Sequence, residues 1–240
     1  MSLVKHLPNT ITLCNLLSGC TGSVFALRGQ TDVAFLCVLL SGVFDFFDGF
    51  TARLTGSYSE IGKELDSLAD LISFGLAPAL TFYACYHASE HTLPLLAWVP
   101  LLIVAFSALR LAKFNLDSRQ TKSFIGMPTP ACALLVIPLC LYGESTGGAI
   151  HSLLTSEWFI PSASIVLSAL LVAEIPMLSM KKSGRRLLWF LAGAAVIIVC
   201  CIIFEPHADR WYLYPALWLS LIFVWYLLLN CTACIVAQKQ

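Results

Sequence analysis

Charge is scarce in this sequence: fourteen basic and fourteen acidic residues make up 12% of 240, against about 25% in an ordinary soluble domain. With 58% apolar residues and a mean hydropathy of +0.83, a water-soluble globule of this size could not hide its apolar surface. The chain therefore reads as integral to a membrane. Zero net charge removes the basic excess that a nucleic-acid binder carries. No low-complexity stretch, internal repeat or separate soluble domain breaks the apolar pattern. No cleavable signal peptide is expected, because Met1–Pro8 holds one lysine and the long run behind it lacks a small-residue cleavage site. The ten cysteines lie mostly within apolar runs rather than loops, as small, reduced core residues do. Cys231-x-x-Cys234 has no second pair with which to complete a zinc site.

Eight apolar runs are bounded by charges and helix breakers: Ile11–Leu27, Val33–Leu54, Ile61–Tyr86, Leu93–Phe114, Pro128–Tyr142, Phe159–Met180, Leu187–Phe204 and Trp211–Ala237. At about 1.5 Å per residue most can cross a hydrocarbon core of roughly 30 Å, the fifth being short. The expected fold is an all-α polytopic bundle of about eight transmembrane helices. With the N-terminus inside, twelve lysines and arginines fall on the cytoplasmic side and only Arg28 and Arg210 outside, so both termini should be cytoplasmic. Residues 1–10 read as an interfacial lead-in, with Pro8 placed to open the first helix. Lys181, Lys182, Arg185 and Arg186 form a basic loop suited to anionic lipid, and Arg119 and Lys122 suit headgroup contacts.

The second and third runs carry carboxylates where a lipid-spanning helix should be apolar. Asp45, Asp48, Gly49, Ala52 and Arg53 share one helical stripe; Gly62, Asp66, Asp70, Ser73 and Ala77 share another. The short link around Gly56–Glu60 makes these helices antiparallel neighbours, so all four aspartates can converge in one cavity. An ionised carboxylate in hydrocarbon costs roughly 2.5–3.5 kcal/mol even on a lenient scale, and four together repel. Arg53 alone cannot balance them. One or two divalent cations could, and an oxygen-only donor set without histidine or cysteine suits Mg²⁺, Mn²⁺ or Ca²⁺ rather than zinc. Gly49, Ala52 and Gly62 leave both faces bare beside the acids, which gives a ligand room or lets the helices pack closely. A metal pair open to solvent on one side is suited to phosphate chemistry.

The pattern Asp45-x2-Asp48-Gly49-x2-Ala52-Arg53-x8-Gly62-x3-Asp66-x3-Asp70 matches, without one departure, the signature of the CDP-alcohol phosphotransferases, which the chain resembles. The resemblance implies transfer of a phosphatidyl or similar group from a CDP-linked donor to an alcohol, with release of CMP. It implies that Asp45, Asp48, Asp66 and Asp70 hold two metals and that Asp70 deprotonates the acceptor. Gly49, Ala52, Arg53 and Gly62 would take the CDP group, and Thr12 and Asn15 are further candidates for donor contact. Residues 11–180 would be the six-helix catalytic core, residues 181–240 two additional helices, and the assembly a homodimer.

Flanking blocks resemble the phosphatidylserine synthase branch: Ser67–Pro78, the opening helix from Pro8 to Gly19, Arg110–Asn115 and Gly126–Pro130. The expected substrates are then CDP-diacylglycerol and L-serine. Arg110 and Lys113 can offer a cationic site for the serine carboxylate, with Asn115 as polar partner. None of the five histidines belongs to an H-x-K pair, against the phospholipase-D-like route of an unrelated class of serine synthases. Two other readings stay open. The same chemistry could serve glycerol phosphate, inositol phosphate or choline, or the intramembrane acids could bind a transported cation. Clustering near one face rather than the midplane argues against the transporter.

Overall fold

The computed structural model describes residues 6–89, 91–117, 126–146, 148–175, 190–199 and 213–238, and their secondary structure is entirely helical. Arg119, Lys122 and the cluster Lys181, Lys182, Arg185 and Arg186 lie outside the described residues. Helix α1 spans Leu7–Leu27 and α2 spans Thr31–Thr55. The long α3 runs over Glu60–His87, and a short turn at Pro94–Trp98 leads into α4, Leu101–Leu116. Helix α5 covers Thr129–Thr146, α6 Ala149–Leu154 and α7 Phe159–Val172. Two further helices follow, α8 at Phe190–Val199 and α9 at Leu213–Gln238. Helices α1, α2, α3, α5 and the Pro94–Leu116 segment are long and apolar enough to cross a membrane; Phe159–Val172, Phe190–Val199 and Ala216–Thr232 are apolar but shorter. This is a polytopic helical membrane protein.

Helix α1 shows how such a bundle is held. Its buried face is Pro8, Thr12, Asn15, Gly19, Gly22, Ser23 and Ala26, whereas Leu13, Leu17, Val24 and Leu27 are exposed. Leucine gains nothing by leaving lipid for a protein interior, so close backbone approach and polar contacts decide which face turns inward. A Cβ at Gly22 would come within 3.0 Å of Cys37 Cβ on α2, and one at Gly19 would collide with Ser73 on α3. Ser18 Oγ donates to the Cys37 carbonyl at 2.8 Å, bonding α1 to α2 directly.

The hairpin between α2 and α3 is set by local chemistry. Gly56 takes the left-handed conformation (φ 62°) that ends α2, and Ser57 N–H returns to the Ala52 carbonyl at 3.1 Å. Ser59 then caps α3, its Oγ accepting from Gly62 N–H at 3.0 Å. The link brings the C-terminal end of α2 and the N-terminal end of α3 to one end of the bundle. Immediately after Asp70, α3 widens into a π-helical turn over Leu71–Leu76, where Ala77 N–H reaches back to the Ile72 carbonyl. Pro78 supplies no N–H to the ladder here, and Gly75 tolerates the approach of Ser107 on α4, at 3.1 Å from where its Cβ would lie.

The sixth expected span differs from the observed helix. Helix α7 ends at Val172, and residues 173–175 leave the helical path. Gly126 N–H bonds the Ile175 carbonyl and Met127 N–H the Leu170 carbonyl, both at 3.0 Å. Gly126, at φ 79°, has no room for a side chain against the Leu171 and Ala173 carbonyls. The Leu170 and Ile175 carbonyls, at and past the end of the helical ladder, take these backbone donors from the 126–127 segment instead.

Candidate active site

Three carboxylates from two helices meet at the hairpin end of the bundle. Asp45 and Asp48 on α2 and Asp66 on α3 each present an oxygen within 4.8 Å of the other two. Asp48 is buried, and Asp45 and Asp66 are half-buried. Asp70 lies one turn further along α3, is buried, and stands outside that three-residue group.

Helix α1 reaches into this cluster. Thr12 Oγ1 donates to Asp48 Oδ2 at 2.6 Å, a short, charge-assisted bond. Fully buried Asn15 turns its Nδ2 toward Asp70 Oδ1, at 3.4 Å. The amide is fixed from behind, because Ser73 Oγ donates to Asn15 Oδ1 at 2.7 Å. Ser41 Oγ, from α2, donates to the Asn15 carbonyl at 3.2 Å. Thr12 and Asn15 thus touch the carboxylates themselves. Sequence reading placed them as donor contacts and did not see this arrangement. Ser73 was visible only as a member of the α3 stripe.

These hydrogen bonds fall short of satisfying the acids. Among the described residues the buried Asp66 Oδ1 has no hydrogen-bond partner, and the donors just described serve Asp48 and Asp70. Three mutually repelling, oxygen-only carboxylates with an orphaned buried oxygen fit a divalent cation such as Mg²⁺, Mn²⁺ or Ca²⁺, whose charge and hard-ligand preference supply what the protein's own groups lack. Asp45, Asp48 and Asp66 are the residues grouped to hold it.

A cleft of about 210 Å³ opens beside the carboxylates, and Thr12, Asp48, Gly49, Ala52, Gly62 and Asp66 line it. A Cβ at Gly49 would meet nothing within 4 Å, so this glycine faces open space and is not needed for helix packing. A Cβ at Gly62 would come within 3.0 Å of Asn9 Oδ1 and Ser59 Oγ. Asn9, Ser57, Ser59 and Lys63 also border the cleft; the nearness of the last three to Gly56 and Gly62, and of Asn9 to Pro8 in the opening block, was the one sequence signal for them. Arg53 is exposed and does not line it.

Buried Arg110 lies on α4, whose Ser107 packs against Gly75 of α3, and it interacts electrostatically with Asp70. Its Nη1 donates to Thr129 Oγ1 at 3.3 Å, its guanidinium carbon sits 5.6 Å from the Phe114 ring centroid, and its buried Nε has no hydrogen-bond partner among the described residues. Lys113 is exposed. Asn115 Nδ2 donates to Ser67 Oγ at 2.9 Å, and its carbonyl accepts from Lys63 Nζ at 2.8 Å. Arg110 therefore stands beside the acids, Lys113 faces outward, and Asn115 ties α4 to α3.

Residues 5–173 match the family model described as CDP-alcohol phosphatidyltransferase. The chain is 36% identical over 185 residues to the CDP-diacylglycerol–serine O-phosphatidyltransferase of Mycobacterium leprae, an alignment covering 74% of this chain and 59% of that protein. The Mycobacterium bovis enzyme of the same name is 31% identical over 218 residues, covering 87% and 74%. The Helicobacter pylori enzyme of that name is 35% identical over 179 residues, 73% of each chain. With the matched region extending from the helix that supplies Thr12 and Asn15 to the end of α7, the chain belongs to the CDP-alcohol phosphatidyltransferase family.

Proposed function

We propose that this protein transfers the phosphatidyl group of CDP-diacylglycerol to L-serine, giving phosphatidylserine and CMP, at the cytoplasmic face of the cell membrane. The observation that carries the reading is the meeting of Asp45, Asp48 and Asp66 beside a cleft walled by Gly49, Ala52 and Gly62. The names of the relatives supply serine as the acceptor. Residues 11–180 form the catalytic core in this reading, residues 181–240 are additional helices, and the resemblance to the family supports a homodimer. The cytoplasmic assignment rests on the basic residues gathered at the hairpin end.

Two divalent cations, Mg²⁺ or Mn²⁺ with Ca²⁺ as an alternative, would neutralise the pyrophosphate oxygens when bound to Asp45, Asp48, Asp66 and Asp70. The rest is work for the chain's own groups. Gly49, Ala52 and Gly62 give the CDP group room against the backbone, and Arg53 would meet its charge by turning inward from its exposed position at the end of α2. Asp70, oriented by Asn15, accepts the serine hydroxyl proton while the serine oxygen bonds the β-phosphorus and the bond to the CMP oxygen breaks. The electron pair of that bond leaves with CMP, so no covalent enzyme intermediate is needed. Arg110 pairs with the serine carboxylate: its buried, unpartnered Nε offers a donor that no other described residue uses. Lys113 lies about one turn further along α4, and Asn115 two residues beyond that.

The test is CMP release by purified protein from CDP-diacylglycerol with L-serine, glycerol phosphate, inositol phosphate, choline or water in turn. Serine should exceed every other acceptor. Equal release with serine and water, alongside turnover of glycerol phosphate, would overturn the acceptor. Asp70→Asn should abolish turnover while donor binding persists, and unchanged turnover would remove Asp70 from the reaction.

A further inference from the structure

Lys63 enters neither the family signature nor the proposed chemistry, yet it lines the cleft. It directly follows Gly62, in the first turns of α3. Its ammonium donates to the Asn115 carbonyl at 2.8 Å. That acceptor is a neutral backbone carbonyl. The side chains bordering the cleft are otherwise acids, hydroxyls, amides and apolar groups, which makes Lys63 the one cation on its wall among the described residues.

The order of groups along α3 gives this cation a direction. In the proposed reaction Asp70, with Arg110 interacting with it, marks the acceptor end; Asp66 lies one turn nearer the cleft, and Lys63 three residues further, about 4.5 Å at helical rise. Phosphoryl transfer proceeds with attacking and leaving oxygens in line on opposite sides of the phosphorus. If the acceptor approaches from Asp70 and the phosphorus sits at the carboxylates, the leaving phosphate lies on the far side, toward Lys63. We infer that Lys63 binds the phosphate that leaves with CMP, exchanging its neutral carbonyl partner for a charged one when the donor docks. The assignment rests on the proposed reaction and adds a nucleotide-side cation to it.

The experiment is calorimetric titration of the full-length protein with CMP and with cytidine, both with Mg²⁺ present. Lys63→Met should weaken CMP binding about tenfold, the scale of one lost hydrogen bond to a charged group at a partly exposed site. Cytidine, which lacks the phosphate, should bind Lys63→Met as it binds the wild type, and Lys63→Arg should keep most of the CMP affinity. Ser67→Ala, which breaks the side-chain tie to Asn115 but leaves the ammonium, should leave CMP affinity unchanged. Equal weakening of CMP and cytidine, or unaltered CMP affinity in Lys63→Met with only a lower Tm, would overturn the inference and leave Lys63 as a clasp between α3 and α4. Absence of CMP binding by the wild type would overturn the nucleotide site as a whole. Wild-type protein that binds CMP but makes no phosphatidylserine would instead refute the acceptor assignment, with the CMP-to-cytidine ratio still deciding Lys63.

Discussion

Replacing Thr12 with valine isolates the contact that links α1 to the carboxylates. Valine matches threonine in shape but cannot donate, so the 2.6 Å bond to Asp48 Oδ2 is lost and the packing is kept. A hydrogen bond to a charged acceptor is worth about 1.5–3 kcal/mol. Loss of a partner that orients a metal ligand typically costs about 10–100-fold in metal affinity or activity, which converts to roughly 1.4–2.7 kcal/mol. The two scales agree, so Thr12→Val should raise the Mn²⁺ or Mg²⁺ concentration for half-maximal CMP release by about one to two orders of magnitude. At saturating metal the KM for CDP-diacylglycerol should stay within about twofold of wild type, an estimate that treats orientation of Asp48 as the whole role of Thr12. Mn²⁺ binding followed by electron paramagnetic resonance provides the same comparison without turnover. Thr12→Ser, which restores the hydroxyl, should recover most of the loss. Unchanged metal dependence with a raised donor KM would refute the reasoning and make Thr12 a contact to the nucleotide instead.

Two further changes test the cleft and the network behind it. Gly49→Leu should fold normally, because a Cβ there meets nothing within 4 Å. The added side chain would occupy cleft volume, so donor binding and CMP release should fall together, and retained donor affinity would show that the CDP group lies elsewhere. Ser73→Ala removes the 2.7 Å bond that fixes the Asn15 amide. One such neutral bond is worth about 1 kcal/mol, so kcat should fall roughly fivefold with little change in serine KM. An unaltered kcat would show that the orientation of Asn15 does not matter to Asp70.

Most of the bundle was legible because the membrane makes a coarse demand: long apolar runs, punctuated by the charges and glycines at which they end. Residues 31–55 and 60–87 could be bounded within a few residues, and Pro8 and Gly56 mark helix ends for reasons written in their own backbones. The π turn after Asp70 was hidden. Gly75 and Pro78 permit it, but its position depends on Ser107 and Asn15 arriving from other helices. The end of α7 was misplaced because hydropathy continues past Val172 while the backbone ladder does not, its partners lying at residues 126–127.

Within the site the same division holds, and it has a physical origin. Periodicity places residues on a face of one helix, so the two aspartate stripes and the bare patch at Gly49 and Ala52 could be read directly, and the hairpin link fixed their mutual approach. What periodicity cannot give is the third helix. Thr12 and Asn15 sit 36 and 55 residues from the carboxylates they meet, and nothing in their local sequence separates a polar side chain that bonds a neighbouring helix from one that bonds a ligand. The burial of Arg110 was equally unreadable. An arginine near a helix end normally reaches for the interface, and here the Thr129 hydroxyl and the Phe114 ring lie against it inside the bundle instead. A buried guanidinium is costly unless its charge and its donors are met. Among the described residues Nε lacks a hydrogen-bond partner and Nη1 donates to a hydroxyl, so burial here calls for an acceptor with negative charge, which the proposed reaction takes to be the serine carboxylate. That requirement, set by the energetics of a membrane interior, is why the acceptor end of the site is assigned to Arg110 ahead of its solvent-facing neighbour Lys113.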